Sequence, residues 1–143
     1  SGNSAGKGIL MMKYMLDTNT CIFAIKKIPN VLKHILAQAP GDICISSITY
    51  AELCHGIEKS TAIERNRLAL LLFLADIPVL AFDGKASEEY GKVRAGLEKK
   101  GTPIGSMDYL IAAHAKSLGL VVVTNNTREF ERVEGLQVED WCN

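Results

Sequence analysis

Three carboxylates, Asp17, Glu52 and Asp108, stand where apolar segments give way to polar turns or where a helix begins. Asp17 directly follows the apolar run 14–16, and an unpaired charge beside a buried strand is costly. Glu52 lies in the first turns of a helix predicted after the second strand, and Asp108 lies near a helix N-terminus, which favours negative charge. Acidic side chains that converge without cationic partners need a divalent cation, so the chain is predicted to be a magnesium-dependent hydrolase.

Each carboxylate alone also has a structural interpretation, because Asp and Glu commonly serve as helix caps and first-turn residues. Magnesium is usually held by one or two carboxylates, several waters and a substrate phosphate, so a phosphodiester is the expected substrate. We expect Asp17 and Asp108 to bind the ion directly, and Glu52 to bind it through water or to orient the attacking water. The polar side chains of Thr18, Asn19 and Ser46 are expected to hydrogen-bond these carboxylates. Helix capping explains Asn19 and Ser46 equally well.

The composition favours one domain without a strong overall field. The chain has 143 residues, 48% of them hydrophobic, and a formal net charge of zero, so contact with nucleic acid requires a local basic patch. The cluster Arg94, Lys99 and Lys100 is a candidate, with a solvated helix end as the simpler interpretation. Apolar stretches fall short of the roughly 20 residues of a membrane span, so no membrane contact is expected. Residues 1–11 are interpreted as a cloning remnant or a disordered N-terminus, and the domain as residues 12–142.

The four cysteines form no C-x-x-C pair and lie in apolar contexts. They are predicted to be buried, reduced thiols, which is typical of a cytoplasmic protein.

Short strands and helices alternate along the chain, which predicts a three-layer α/β/α fold with a mostly parallel central sheet of four to five strands. Asp17 then lies at the edge of the sheet where such folds bind ligands. The predicted strands are 12–16, 43–45, 78–82, 120–123 and 136–138. The predicted helices are 18–26, 29–39, 47–59, 62–75, 84–99 and the helix from Asp108 to Gly119, with a polar turn after the fourth strand.

Four segments together resemble the VapC family, the PIN-domain toxins of VapBC toxin–antitoxin pairs. They are the run Met15-Leu16-Asp17-Thr18-Asn19-Thr20-Cys21-Ile22-Phe23 and the segments 45–53, 100–115 and 123–130. The resemblance extends over residues 12–142. It implies a ribonuclease that requires magnesium or manganese, forms a homodimer, is inhibited by a VapB antitoxin and meets operator DNA only through that antitoxin. The form of residues 125–130 is similar to the enteric-type subgroup, which cuts the anticodon loop of initiator tRNA and so inhibits translation.

One position departs from the family pattern. Many PIN domains carry a fourth acidic residue two positions after the Thr that ends the last core strand, and this chain has Asn126 there. An Asn can donate a ligand oxygen but adds no negative charge. Glu129 is near enough in sequence to substitute for the missing acid, and a solvated charge before the buried Phe130 is the alternative interpretation.

The resemblance also implies contacts with partners. An acidic pocket attracts a guanidinium, so an Arg from the VapB tail is expected near Asp17 and Asp108. The homodimer is expected to use apolar helix surface, either in the region 68–74 or in the helix after Pro29.

Other functions fit less well. A haloacid-dehalogenase-type phosphatase needs a second Asp where Asn19 stands, and a receiver domain needs clustered acids at its first strand and a late lysine. A PIN-like module that binds RNA or protein without cleavage stays open, and metal dependence would distinguish it from an enzyme. His114 falls on the opposite helix face from Asp108, which favours a core or interface histidine over a general base.

Overall fold

The computed structural model describes residues 12–39 and 41–143, so the interpretation of residues 1–11 lies outside the described part. The strands are β1 Tyr14–Leu16, β2 Ile43–Ser46, β3 Val79–Leu80, β4 Val121–Val123 and β5 Val138–Glu139. The helices are α1 Thr18–Ile25, α2 Pro29–Leu36, α3 Ser47–Glu58, α4 Ile63–Phe73, α5 Gly84–Lys99, α6 Ser106–Leu118 and α7 Thr127–Phe130, with a 3-10 turn at Leu74–Asp76.

The five strands form one sheet in the order β3-β2-β1-β4-β5, and every neighbouring pair is parallel. The predicted parallel sheet is therefore confirmed. Parallel neighbours need crossover connections, which the helices supply. The carboxyl ends of β1, β2 and β4 consequently meet at one edge, with β1 in the middle.

The central strands of the sheet are buried on both faces. Met15 pairs in register with Cys44 and Val122, and all three pack into one apolar cluster with α5 and α6. The next residue, Leu16, belongs to the opposite cluster, which contains residues from α1, α3 and α4. Alternate residues of a strand point to opposite faces, so the sheet separates two helical layers, as predicted.

The ends of several elements differ from the prediction. Helix α2 stops at Leu36, where the Gln38 side chain donates to the His34 carbonyl and satisfies one of the last helical acceptors. The helix predicted over 62–75 tightens into the 3-10 turn over its last residues. The polar turn after β4 contains the short helix α7, whose four residues are too few to give a periodic pattern. The last strand lies at Val138–Glu139 rather than at 136–138.

Two of the four free cysteines, Cys21 and Cys44, are buried as predicted, whereas Cys54 and Cys142 are only partly covered. Burial raises the pKa of both core thiols, that of Cys44 to about 12, so they stay protonated and unreactive. In the described part of the chain, no helix combines the length and the apolar character that a membrane crossing requires.

Candidate active site

Asp17 is held at the carboxyl end of β1 by its own backbone. Its N–H donates to the Val123 carbonyl at 3.0 Å, which continues the β1–β4 ladder by one residue. Its Oδ1 accepts from the Thr20 N–H at 2.9 Å, which makes Asp17 the N-cap of α1. The side chain is buried, with 4% of its surface exposed. The capping interpretation of Asp17 is thus correct, and it coexists with a position at the ligand-binding edge of the sheet.

Burial is the main reason why the pKa of Asp17 is raised. Hydrogen bonds from Thr124 and Thr20 lower it in part, and the negative charge of Glu52 raises it further. Ionised Asp17 is therefore opposed by desolvation and by a neighbouring acid, and a bound cation would relieve both effects.

Glu52 lies in the second turn of α3, partly buried, and faces the start of α1. The Thr18 hydroxyl donates a hydrogen bond to Glu52 Oε1 and so joins the residue next to Asp17 to a different helix. The charge of Glu52 acts on Asp17 and also on Asp108. The structure therefore brings the three predicted carboxylates into one electrostatic cluster.

Asp108 lies in the first turn of α6, next to the loop that ends at Gly105. Its pKa is raised to about 6, first by burial, then by the charges of Glu129, Asp17 and Glu52. The Asn126 side-chain amide lies 3.2 Å from Asp108 Oδ2 and opposes this rise by donating a hydrogen bond. A carboxyl group with a pKa near neutrality, surrounded by other acids, is typical of a site that binds a cation.

Glu129 closes the cluster from α7. One of its carboxylate oxygens accepts from the Asn126 amide, and the other accepts from the Gly105 N–H at 3.0 Å. Glu129 is thus tied to the loop before α6 and to the residue that holds Asp108. The geometry favours its interpretation as a site residue over that of a solvated charge.

Two of the predicted supporting residues do not contact the carboxylates. Ser46 caps α3, accepting from the Ile48 N–H, and its Oγ lies 2.8 Å from His114 Nδ1. The prediction that Ser46 bonds a carboxylate is therefore wrong, because its hydroxyl points to α6 instead. Asn19 is exposed, and within residues 12–39 and 41–143 no hydrogen bond joins its side chain to an acid.

His114 is a core residue, as the sequence favoured. It is 2% exposed, and Phe82 packs against it edge to face. Burial lowers its pKa, so the imidazole is neutral.

The donor set fits a hydrated magnesium ion. The cluster offers carboxylate oxygens, which Mg²⁺ prefers, and its crowded acids have raised pKa values that a cation would lower. As the described side chains stand, no three acidic, histidine or cysteine groups are close enough to hold one ion between them. Magnesium rarely needs such a cage, because one or two carboxylates with water and substrate phosphate suffice. Asp17 and Asp108 are the residues able to hold it.

Two further residues, Thr124 and Gly105, support the carboxylates and were not predicted from the sequence. Thr124 bonds Asp17 through its side chain and accepts from the Asn126 N–H at 2.8 Å, so it links two parts of the site. Gly105 approaches Asp108 so closely that a methyl group there would lie 3.3 Å from Oδ2. In the sequence, Thr124 and Gly105 could be recognised only as a hydroxyl residue and a glycine at the ends of secondary-structure elements. Such residues are common in ordinary turns, so they do not by themselves indicate a functional site.

Comparison with known proteins agrees with this geometry. The chain matches the PIN domain family over residues 14–136. It is 52% identical to the tRNA(fMet)-specific endonuclease VapC of Salmonella typhimurium, across 92% of this chain and 100% of that protein. It is also 47% identical to the ribonuclease VapC2 of Haemophilus influenzae, across 92% of this chain and 99% of that protein.

A solved relative has the same fold. The DNA-bound VapBC complex of Salmonella typhimurium contains a chain that superposes with a TM-score of 0.87 at 52% identity, covering 92% of this chain and 100% of that one. The length, the fold and the sequence all agree. This chain belongs to the VapC family of PIN-domain ribonucleases.

Proposed function

We propose that this chain is the toxin of a VapB–VapC pair, a magnesium-dependent endoribonuclease that cuts the anticodon loop of initiator tRNA and thereby stops translation. The observation that carries the proposal is the cluster of Asp17, Glu52 and Asp108 at the carboxyl edge of a parallel sheet. The name of the Salmonella typhimurium relative, a tRNA(fMet)-specific endonuclease, supports initiator tRNA as substrate. Because initiator tRNA is used in the cytoplasm, the enzyme is proposed to act there.

Each acid has a separate task in this proposal. Asp17 and Asp108 bind the ion directly, and Glu52 binds it through water or orients the attacking water. Thr18 fixes the Glu52 carboxylate by its hydrogen bond. A bound Mg²⁺ or Mn²⁺ would activate a water and neutralise the charge that develops on the phosphate oxygens.

Glu129 takes the position of the missing fourth acid in this account. It shares the Asn126 amide with Asp108, so the two carboxylates that would hold a second ion are already joined by a neutral donor. The chain would then hold a second ion less firmly than a PIN domain with an Asp at position 126.

An inactive PIN-like binding module is the alternative. A module that had lost cleavage would have no reason to keep three acids whose charges oppose one another. The retained acids therefore favour the enzyme, and dependence on a divalent ion distinguishes the two.

The VapB antitoxin is proposed to bind an apolar groove that opens beside Glu52. The groove has a volume of about 420 Å³ and lies between α1, α3 and α4. An Arg from the end of the antitoxin would reach the acids near Asp17 and Asp108. Operator DNA would then be contacted through the antitoxin alone. If removal of the Arg-bearing tail left inhibition of cleavage unchanged, this contact would be wrong.

A homodimer through α4 is part of the proposal. Leu68, Leu71 and Leu72 are 57%, 58% and 69% exposed on this helix, which is costly for a surface without a partner. Leu71→Glu is expected to give a monomer in light scattering. A dimer that persisted in this variant would favour the surface of α2, where Leu36 is 75% exposed.

A panel of purified RNAs tests the substrate. Initiator tRNA, several elongator tRNAs and a structured control RNA are incubated with the protein in Mg²⁺ and in chelator. The proposal predicts one cut, in the anticodon loop of initiator tRNA, that chelator abolishes. Equal cutting of all tRNAs would remove the substrate and leave the ribonuclease, and failure to cut any RNA would favour the binding module.

A further inference from the structure

A second groove, distinct from the apolar antitoxin groove, is lined largely by charged side chains. It has a volume of about 170 Å³ and is formed by α5, α6 and the segment after α7. Four cationic and two acidic side chains line it, in a chain whose net charge is zero. We call this cavity the basic groove. Its charged lining residues are Lys92, Lys100, Lys116, Arg132, Glu89 and Glu134.

The acids do not neutralise the basic groove. Lys100 and Glu134 are 3.9 Å apart with both side chains largely exposed, and such a pair contributes little. Lys116 has a closer partner, Glu89 at 3.5 Å, in a less exposed setting. Lys92 has no ion pair among residues 12–39 and 41–143. The groove therefore keeps a local positive charge beside an acidic site.

A short chain of contacts connects the basic groove to the carboxylates. Arg132 donates to the Pro103 carbonyl at 2.7 Å, and Pro103 lies in the loop before α6. In the same loop the Gly105 N–H binds Glu129, which shares the Asn126 amide with Asp108. The contact uses one of the five N–H donors of the guanidinium, so Arg132 can serve the loop and an anion together.

The spacing suits a polynucleotide. Lys116 follows Asp108 by eight residues of α6, which is about 12 Å along the helix axis. A stacked strand advances about 3.4 Å per phosphate, so roughly three to four nucleotides cover this distance. One RNA strand can thus reach from the acidic cluster into the basic groove.

Of the basic cluster proposed from the sequence, Arg94, Lys99 and Lys100, only Lys100 lines the basic groove. Arg94 lies over the rings of Tyr90 and Tyr109, 5.9 and 5.5 Å from their centroids, and is not part of the groove. Lys100 lines the groove, whereas the adjacent Lys99 does not. This difference between two neighbouring, exposed lysines provides a matched control.

We propose that the basic groove binds backbone phosphates of the RNA a few nucleotides from the cut, and so holds the substrate in register with the acids. This inference rests on the proposed ribonuclease function. A sequence-independent contact of this kind adds affinity and fixes position without reading bases.

Salt dependence of RNA binding tests the groove. The Asp17→Asn substitution is used to abolish cleavage, so that binding can be measured alone. The affinity of this variant for initiator tRNA is measured over a series of KCl concentrations. Each lost phosphate contact lowers the slope of log affinity against log salt by about 0.7 to 0.9. Adding Lys92→Gln and Lys100→Gln should lower the slope by at least one such step, whereas Lys99→Gln should leave it unchanged. An unchanged slope in the double variant, or an equal loss with Lys99→Gln, would overturn the proposal.

Steady-state cleavage separates this inference from the proposed function. With Asp17 intact, Lys92→Gln with Lys100→Gln should raise KM several-fold and leave kcat unchanged, since the groove binds ground state and transition state alike. Cleavage with unchanged KM would reject the groove and keep the ribonuclease. A parent protein that neither bound nor cut RNA would reject both.

Discussion

Asn126 Nδ2 lies 3.2 Å from Asp108 Oδ2 and donates a hydrogen bond to it, while the same amide also donates to Glu129. An uncharged group therefore separates two carboxylates at the centre of the site. The amide orients Asp108 and lowers its pKa without adding to the negative charge. In the proposed function, this neutral donor would weaken the binding of a second cation.

Asn126→Asp replaces this amide by a carboxylate between those of Asp108 and Glu129. We expect the magnesium dissociation constant to fall, because the added charge favours the ion-bound state, and the pKa of Asp108 in metal-free protein to rise above about 6. Calorimetric titration with Mg²⁺ measures the first effect, and carboxyl NMR titration the second. Asn125→Asp, at the exposed neighbouring position, is the control and should change both much less. Equal magnesium affinity in wild type and Asn126→Asp would contradict the account.

Thr18→Val removes the hydrogen bond that fixes Glu52 while keeping the shape of the side chain. Loss of such a supporting contact typically costs 10- to 100-fold, so kcat/KM for RNA is expected to fall by about 10-fold. Thr18→Ser keeps the hydroxyl and should retain most of the activity. If Val and Ser variants cleaved equally well, Thr18 would have no positioning role.

Gly105→Ala places a methyl group 3.3 Å from Asp108 Oδ2. The backbone at Gly105 has φ −60° and ψ 150°, which alanine adopts readily, so the fold should persist. Because the carboxylate must shift by a few tenths of an ångström, we expect kcat to fall several-fold with little change in thermal stability. Gly91→Ala, where an added methyl meets nothing within 4 Å, should leave cleavage unchanged. Full activity of Gly105→Ala would show that Asp108 tolerates displacement.

The raised pKa of Asp108 makes metal-free stability depend on pH. Its pKa is about 6 in the folded protein and 3.8 in a free, solvent-exposed chain, so the folded state binds this proton more tightly than the unfolded state. The free energy of unfolding contributed by Asp108 therefore falls as pH rises from about 4 to about 6. In chelator, Asp108→Asn should gain stability relative to wild type as the pH rises through this window.

Urea unfolding of both proteins at either end of the window measures this difference. Added Mg²⁺ should stabilise wild type more than Asp108→Asn above about pH 6, because the ion binds the ionised carboxylate. A difference between the two proteins that did not vary with pH would contradict the raised pKa.

The fold was largely predictable because its signals are local. Apolar runs bounded by caps and glycines predicted all five strands, and Asp17 and Ser46 cap the helices that follow their strands. Element ends were less accurate, as at Leu36, where the helix ends three residues before the predicted position and the Gln38 side chain bonds one of its last carbonyls.

The site was only partly predictable because its second layer depends on distant contacts. Asp17, Glu52 and Asp108 stand at recognisable element ends, but the direction of the Ser46 hydroxyl depends on His114, which is 68 positions away. The bridge from Asn126 to Asp108 spans 18 positions and follows from the short helix α7, which has no sequence period. The basic groove likewise combines three segments that only the tertiary fold brings together.

Single-turnover cleavage of end-labelled initiator tRNA tests the central claim most directly. Wild type, Asp17→Asn, Asp108→Asn and the control Asp76→Asn, which changes an exposed acid outside the site, are compared across a range of Mg²⁺ concentrations. Wild type and Asp76→Asn are expected to make a magnesium-dependent cut in the anticodon loop, and the two site variants are expected to cut at least about 100-fold more slowly. Wild-type rates in Asp17→Asn and Asp108→Asn, or undiminished cleavage in chelator, would contradict that claim.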